Sequence, residues 1–380
     1  MCAPPRSRPP SPYEGRRPPL RQRGGGPAAR PRLTRVQAHP GDNGACGGYR
    51  LRWPAEVLAA EGHDVQVTNE LNAYHDTVTG RMLTPVVDAD VVVLQRPLVQ
   101  AVVEAIPRLQ SQGVAVVVEV DDDFHALPKG HGARRGTSVE NDPTYNRMWL
   151  RKACERADLV TVTTPALAER YGAHGRVAVL PNLVPASYLS VPTHAPRVEA
   201  PTVGWTGSVV THVGDLDVMG GVLPGVLAET GARFVSWGVG LTEQALGVKG
   251  RVRPWADLRG AYPRQVADLD VGLVPLAPSA FTNAKSALKM SEYAALGVPS
   301  VISPSPDNLR MHAEGIGLLA RTPADWRHHL TALLTSPDLR SSLAARGRDV
   351  MARFTYEEHS GDWLAAWKSA ADNRIREKAA

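Results

Sequence analysis

At 380 residues the chain exceeds one ordinary hydrophobic core and suits two α/β domains. Its 43% hydrophobic and 21% charged residues describe a globular protein rather than a disordered or fibrous one. No run of about 18 apolar residues occurs, so no helical membrane span is expected. The basic N-terminus is not followed by the apolar stretch of a secretory signal. Cys2, Cys46 and Cys154 are too few and too far apart for a disulfide framework or a zinc site, which points to the cytoplasm.

The net charge of +5 is unevenly spread. Residues 1–35 hold nine Arg and one acid, Glu14, so this stretch carries +8 and the remainder −3. With nine prolines and the run Gly24-Gly25-Gly26, residues 1–32 read as a disordered tail. The alternative is a basic arm drawn to nucleic acid or anionic surfaces.

From Leu33 onward, short β-branched runs alternate with helix-length segments, the pattern of βαβ units on a parallel sheet. Strands are expected near 36–38, 64–68, 90–94, 113–120, 159–163 and 176–180. The helices between them fall at about 49–61, 97–111, 142–157 and 165–171. The runs at 90–94 and 113–120 are almost wholly apolar, as in strands covered on both faces. Five prolines between 181 and 201 mark a linker. The alternation then restarts, with strands at 202–205, 233–237, 271–275, 299–302 and 317–319 and helices that include 285–296 and 323–336. Thr355-Tyr-Glu-Glu358 fits a capping box opening a last helix. The expected organisation is a tail (1–32), a first Rossmann-like domain (33–185), a linker (186–200), a second Rossmann-like domain (201–350) and a C-terminal helix (351–380) crossing back to the first domain. A ligand belongs in the cleft, at the C-terminal ends of the strands.

The most informative segment is Asn283-Ala-Lys-Ser-Ala-Leu-Lys-Met-Ser-Glu292. On one helix, Lys285, Lys289 and Glu292 stand at i, i+4 and i+7 and share a face. Two ammonium groups near a helix N-terminus suit a diphosphate. One turn further, Glu292 suits vicinal ribose hydroxyls. Taken alone, the pattern also fits a solvated helix face in which Glu292 pairs with Lys289.

Lys-Ser-x-Leu-Lys-x-x-Glu-Tyr, followed by Ala-x-Gly-x-Pro-Ser-Val, resembles the donor-binding signature of GT-B glycosyltransferases, in particular the retaining type with a Glu-x7-Glu motif. The resemblance implies two Rossmann-like domains, a nucleoside diphosphate sugar as donor, retention of configuration, and no metal or other cofactor. It maps the ribose-binding Glu onto Glu292; the other Glu of the motif is replaced by Ala284, so either Asn283 or a backbone amide substitutes for it or the chain belongs to a divergent branch. The loop Val203-Gly-Trp-Thr-Gly-Ser-Val-Val-Thr-His212 is similar to the family's diphosphate loop. Gly207, Ser208 and His212 are thereby further diphosphate ligands, with His212 equally readable as a capping or core histidine. Gly41–Arg50, with Gly47 and Gly48, is similar to the first β–α loop beside donor and acceptor. It is not Gly-x-Gly-x-x-Gly, which counts against a dehydrogenase.

Glu119-Val-Asp-Asp-Asp-Phe-His125 ends an apolar strand. Asp121-x-Asp123 matches a metal-binding Asp-x-Asp, but the triplet belongs to the first domain, away from the diphosphate signals. Asp121, Asp123 and His125 are therefore expected on the acceptor side, in contact with an acceptor hydroxyl or in a loop-capping role, with one carboxylate protonated by crowding or engaged by Arg134 or Arg135. The acceptor itself, whether glycan, small molecule, protein or nucleic acid, is open. The rival readings are a sugar-nucleotide epimerase of the same fold and a non-catalytic sugar-nucleotide-binding protein.

Overall fold

A computed structural model of the chain describes residues 34–69, 71, 74–75, 82–83, 87–134 and 143–379. The basic tail and Arg135 lie outside these residues.

The first sheet comprises β1 (Val36–His39), β2 (Val65–Val67), β5 (Val91–Gln95), β6 (Ala115–Val120), β7 (Leu159–Val162) and β8 (Val177–Val179), with the short antiparallel pair β3 (Tyr74–His75) and β4 (Met82–Leu83) outside it. Its order is β2-β1-β5-β6-β7-β8, every pairing parallel. The second sheet holds β9 (Thr202–Trp205), β10 (Arg233–Trp237), β11 (Gly250–Arg253), β12 (Val271–Val274), β13 (Ser300–Ile302) and β14 (Leu318–Leu319) in the order β11-β10-β9-β12-β13-β14. It too is parallel throughout. Helices cover both faces, and β5, β6, β9 and β12 are buried along their whole length, which is why these strands read as continuous apolar runs.

Strand order reverses between β1 and β5 in one sheet and between β9 and β12 in the other. At such a switch point the flanking loops diverge and leave a crevice. The two crevices open onto one shared cavity, lined from both halves.

Two chain crossings join the halves, and they run side by side. After β8, Val184 pairs with Thr355 in a parallel bridge, with Val184 N–H donating to Phe354 O at 3.2 Å and Tyr356 N–H to Val184 O at 3.1 Å. The helix Tyr356–Ala379 then packs on the first sheet, burying Trp363 and Trp367 in the same apolar cluster as Val91, Val93, Ala115 and Val117. Tyr356 OH donates to Tyr49 O at 2.6 Å, and Ser360 Oγ donates to Glu61 at 2.7 Å. Thr355 Oγ1 caps this helix by accepting from Glu358 N–H.

One ion pair sits in the core of the first half. Arg50 is fully buried, and its Nε donates to Glu119 Oε1 at 2.7 Å. Its Nη1 donates to Leu180 O at 2.7 Å and Asn182 Oδ1 at 3.0 Å, while Thr161 supplies a hydroxyl to Glu119. Removing one member of such a pair leaves a buried charge without compensation. Glu119→Leu should therefore destabilise the protein by about 3–5 kcal/mol, read as a lower denaturant midpoint than that of the wild type.

Candidate active site

The cavity measures about 710 Å³, room for a ligand of nucleotide-sugar size. The loop after β9 lines it with Thr206, Gly207, Ser208 and His212, and the segment after β12 with Lys285, Ser286, Lys289 and Glu292. From the first half come Cys46, Gly48, Tyr49, Arg96, Asp121 and Asp122.

The donor segment differs from the single helix expected at 285–296. Ser279 and Thr282 form a capping box that starts a short helix, Ala280–Asn283, and a second helix, Leu288–Ala295, follows after a break. Lys285 stands in that break, not on the helix face. Ser286 and the backbone hold the break in place: Ser286 Oγ accepts from Asn182 Nδ2 at 2.8 Å, and Ala287 N–H donates to Asp307 at 2.7 Å. Both lysines nevertheless face the cavity. Lys285 Nζ lies 3.2 Å from Asp122 Oδ1 and above the Phe281 ring. Lys289 forms no ion pair or hydrogen bond among the described residues, and burial lowers its pKa. An ammonium in that state gains from an incoming anion.

Glu292 is buried at 4% exposure. Tyr49 OH, from the first half, donates to its Oε1, and Tyr262 OH donates to Oε2 at 3.3 Å. Tyr188 joins the cluster, 3.2 Å from Tyr49 OH and donating to Leu258 O at 3.0 Å. Burial raises the Glu292 pKa, against the two tyrosines and Lys289.

In the loop after β9, Gly207 has a steric reason to be glycine. A Cβ there would lie 2.2 Å from the Trp205 ring. His212 Nδ1 lies 2.7 Å from Asp215 Oδ2. The first half reaches this loop directly, since Gly132 N–H donates to Val210 O at 2.8 Å. His131, beside Gly132, packs edge-on against Phe281.

The acidic triplet disperses instead of crowding. Asp121 is gripped by the Arg96 guanidinium, whose Nη2 donates to Oδ2 at 2.6 Å. Burial opposes ionisation of Asp121, but Arg96 overrides it and holds the carboxyl below its usual range. Arg96 has φ of +50°, a strained conformation for a non-glycine residue. Asp123 turns away from the cavity, accepting from His125 N–H at 2.9 Å and Arg170 Nε at 3.1 Å. His125 stays beside it, 3.2 Å from Tyr171 OH. Neither lines the cavity, and the Asp123 bond to His125 N–H fits the loop-capping role. Arg134 bonds Leu127 O and not the triplet. The other carboxylate of the triplet that lines the cavity is Asp122, paired with Lys285 at 3.2 Å and 3.9 Å from Arg96 Nη2.

Two further expectations are corrected. Gly47 does not line the cavity; its N–H donates to Asp42 at 3.1 Å, and a Cβ there would lie 2.1 Å from Asp42 O. Gly48 does line it. Asn283 is exposed and outside the lining, while Ala284 is buried in the apolar cluster of the first half, its carbonyl accepting from Thr164 Oγ1 at 2.9 Å. A longer side chain at 284 would meet that packing before it met the cavity.

The loop Pro254–Arg259 was not foreseen at all. It puts Trp255, 53% exposed, and Arg259 in the cavity lining. It follows β11, an edge strand whose side chains are mostly exposed; its alternating Lys-Gly-Arg-Val-Arg sequence carries little strand signal.

Residues 223–365 match the model of a family described as glycosyl transferase-like. No curated protein matches the sequence. Among solved structures, the chain is similar to WaaG, a glycosyltransferase involved in lipopolysaccharide biosynthesis, at 15% identity and TM-score 0.56, covering 87% of this chain and 98% of that one. It is similar to Anabaena HepE in complex with UDP at 14% identity and TM-score 0.54, covering 87% and 99%. It is also similar to a mutant form of S. aureus TarM at 11% identity and TM-score 0.51, covering 78% of this chain but only 61% of that one. Of another TarM chain it spans 54%. The fold is therefore GT-B, with a glycosyl transferase-like domain in its second half. This bears out the two-Rossmann architecture expected from the sequence.

The raised Glu292 pKa has a sign that can be checked in the empty protein. Folding favours its protonated form, so the carboxylate weakens stability above the unfolded value of about 4.3 and costs nothing below it. Glu292→Gln should raise the thermal midpoint of the ligand-free protein at neutral pH. The gain should fade as the pH drops to about 4; a gain independent of pH would show that ionisation is not its source.

Proposed function

We propose that the chain is a glycosyltransferase that takes its sugar from a nucleoside diphosphate sugar bound at the β9/β12 switch point. The observation that carries this reading is the convergence of Gly207, Ser208, Lys285, Lys289 and Glu292 on one cavity. In this reading the lysines neutralise the diphosphate, with the backbone of Gly207 and Ser208 approaching it closely. Glu292 exchanges its tyrosine partners for the ribose hydroxyls. Trp255 and Arg259 flank the base.

The acceptor enters from the first half, past Gly48 and Asp122, where Asp122 is the carboxylate available to a sugar or acceptor hydroxyl. Catalysis rests on positioning and on stabilising the leaving diphosphate, with retention of configuration and with the lysines in place of a divalent metal. The HepE structures hold UDP, and one of them UDP and glucose, which makes uridine the first base to test.

A thermal-shift screen against UDP-, GDP- and TDP-sugars tests the donor site. One of them should raise the unfolding midpoint. Lys289→Ala and Glu292→Ala should each weaken that nucleotide by about 10- to 100-fold, the loss of one charged hydrogen bond. If no nucleotide stabilises the wild type, or both variants respond as it does, the donor-site reading fails.

A further inference from the structure

The pair His212 and Asp215 is built more carefully than a phosphate contact requires. Asp215 is buried; its Oδ1 accepts from Ala277 N–H at 2.8 Å, and its Oδ2 faces His212 Nδ1. The imidazole is flanked by that carboxylate and by the edge-on Trp205 ring at 5.6 Å, and the His212 backbone N–H donates to Ser208 O at 2.9 Å. A carboxylate on Nδ1 sets the tautomer, so the proton sits there and Nε2 presents a lone pair. Nε2 has no hydrogen-bond partner among the described residues, and His212 lines the cavity.

The charges around the ring come from three elements. Lys285 and Lys289 face it from the donor segment, His131 from the first half's loop, and Asp215 from its own loop. Burial first, then the two lysines and His131, push the His212 pKa well below its ordinary value, so the empty site holds a neutral imidazole. A diphosphate brings negative charge to the same lysines and reverses that bias.

Resting on the donor-site reading above, we propose that the His212–Asp215 pair is the proton acceptor of the transfer reaction. The bond between the sugar C1 and the β-phosphate oxygen breaks with its electron pair remaining on the phosphate. The acceptor oxygen bonds to C1 and sheds one proton. That proton passes by way of the departing phosphate oxygen to Nε2, while Nδ1–H stays on Asp215. The resulting imidazolium then holds the nucleoside diphosphate until it leaves.

Calorimetric titration of the full chain with UDP, GDP or TDP, in buffers of different ionisation enthalpy, counts the protons taken up. At about pH 8 the free nucleotide is fully ionised, since its last phosphate pKa is about 6, so any uptake comes from the protein. The wild type should take up a fraction of a proton per nucleotide, rising as the pH falls. His212→Gln should still bind, more weakly, with that uptake lost. Asp215→Asn, which leaves the imidazole in place, should shift the uptake to lower pH. Binding without uptake, or uptake unchanged in His212→Gln, overturns the proposal while the donor site stands. If His212→Gln does not bind, uptake left unshifted by Asp215→Asn overturns it. Failure of the wild type to bind any of the three nucleotides would sink the donor-site reading and this role with it.

Discussion

The buried carboxylate of Glu292 is the point on which the two halves of the molecule agree. One oxygen is held by Tyr49 from the first half and the other by Tyr262 from the second. A carboxylate withdrawn from water needs hydrogen bonds or charge to remain ionised. Here the tyrosines and nearby Lys289 supply both, yet not enough to restore an ordinary pKa. The site is thus held under electrostatic tension in the empty state. The Tyr49 hydroxyl is the one that crosses between the halves, and Tyr49 lies in a π-helical turn, Gly48–Arg52, that follows the loop after β1. Such turns displace a side chain from regular helical spacing and occur often at functional sites.

The sheets were legible because their strands are. Val91–Gln95 and Ala115–Val120 are continuous apolar runs, and continuous runs are what a doubly covered parallel strand requires. Lys289 and Glu292 were legible for a related reason: their spacing on a real helix brings both to the cavity. Lys285 reaches the same place by another route, because the short helix capped by Ser279 ends before it and the next begins too late to include it. Sequence spacing cannot register that break. The acidic triplet failed differently. Consecutive residues at a strand end turn in different directions, and their partners, Arg96, Lys285 and Arg170, lie 25 to 163 positions away. Long-range pairing of that kind leaves no local trace. Trp255 was missed because it follows an exposed edge strand whose alternation is too polar to distinguish from a loop.

Charge is distributed in the cavity according to a simple division. Arg50, Arg52, Arg96 and Arg259 line it; Arg50, Arg96 and Arg259 are each matched to a carboxylate, Glu119, Asp121 and Glu56, while Arg52 donates to the neutral side-chain amides of Asn43 and Asn69. A guanidinium so engaged organises the walls and contributes little net field. Lys285 shares Asp122, and Lys289 is left unpaired among the described residues. Within the second half the uncompensated positive charge therefore lies at the β9/β12 switch point, beside backbone that Gly207 keeps clear of a side chain. Fixed arginines shape the cavity, while lysines and a neutral histidine leave its charge adjustable.

That adjustability follows from pKa values moved in opposite senses by one cause. Burial lowers Lys289 and His212 and raises Glu292 and Asp215; in every case it favours the neutral form. A site of this kind resists holding charge while empty and accepts it when a charged ligand enters, with protons moving to match. Lys285 already has Asp122 as its partner, so an anion entering the site would be drawn chiefly to Lys289, and with it would go part of the repulsion that lowers the His212 pKa.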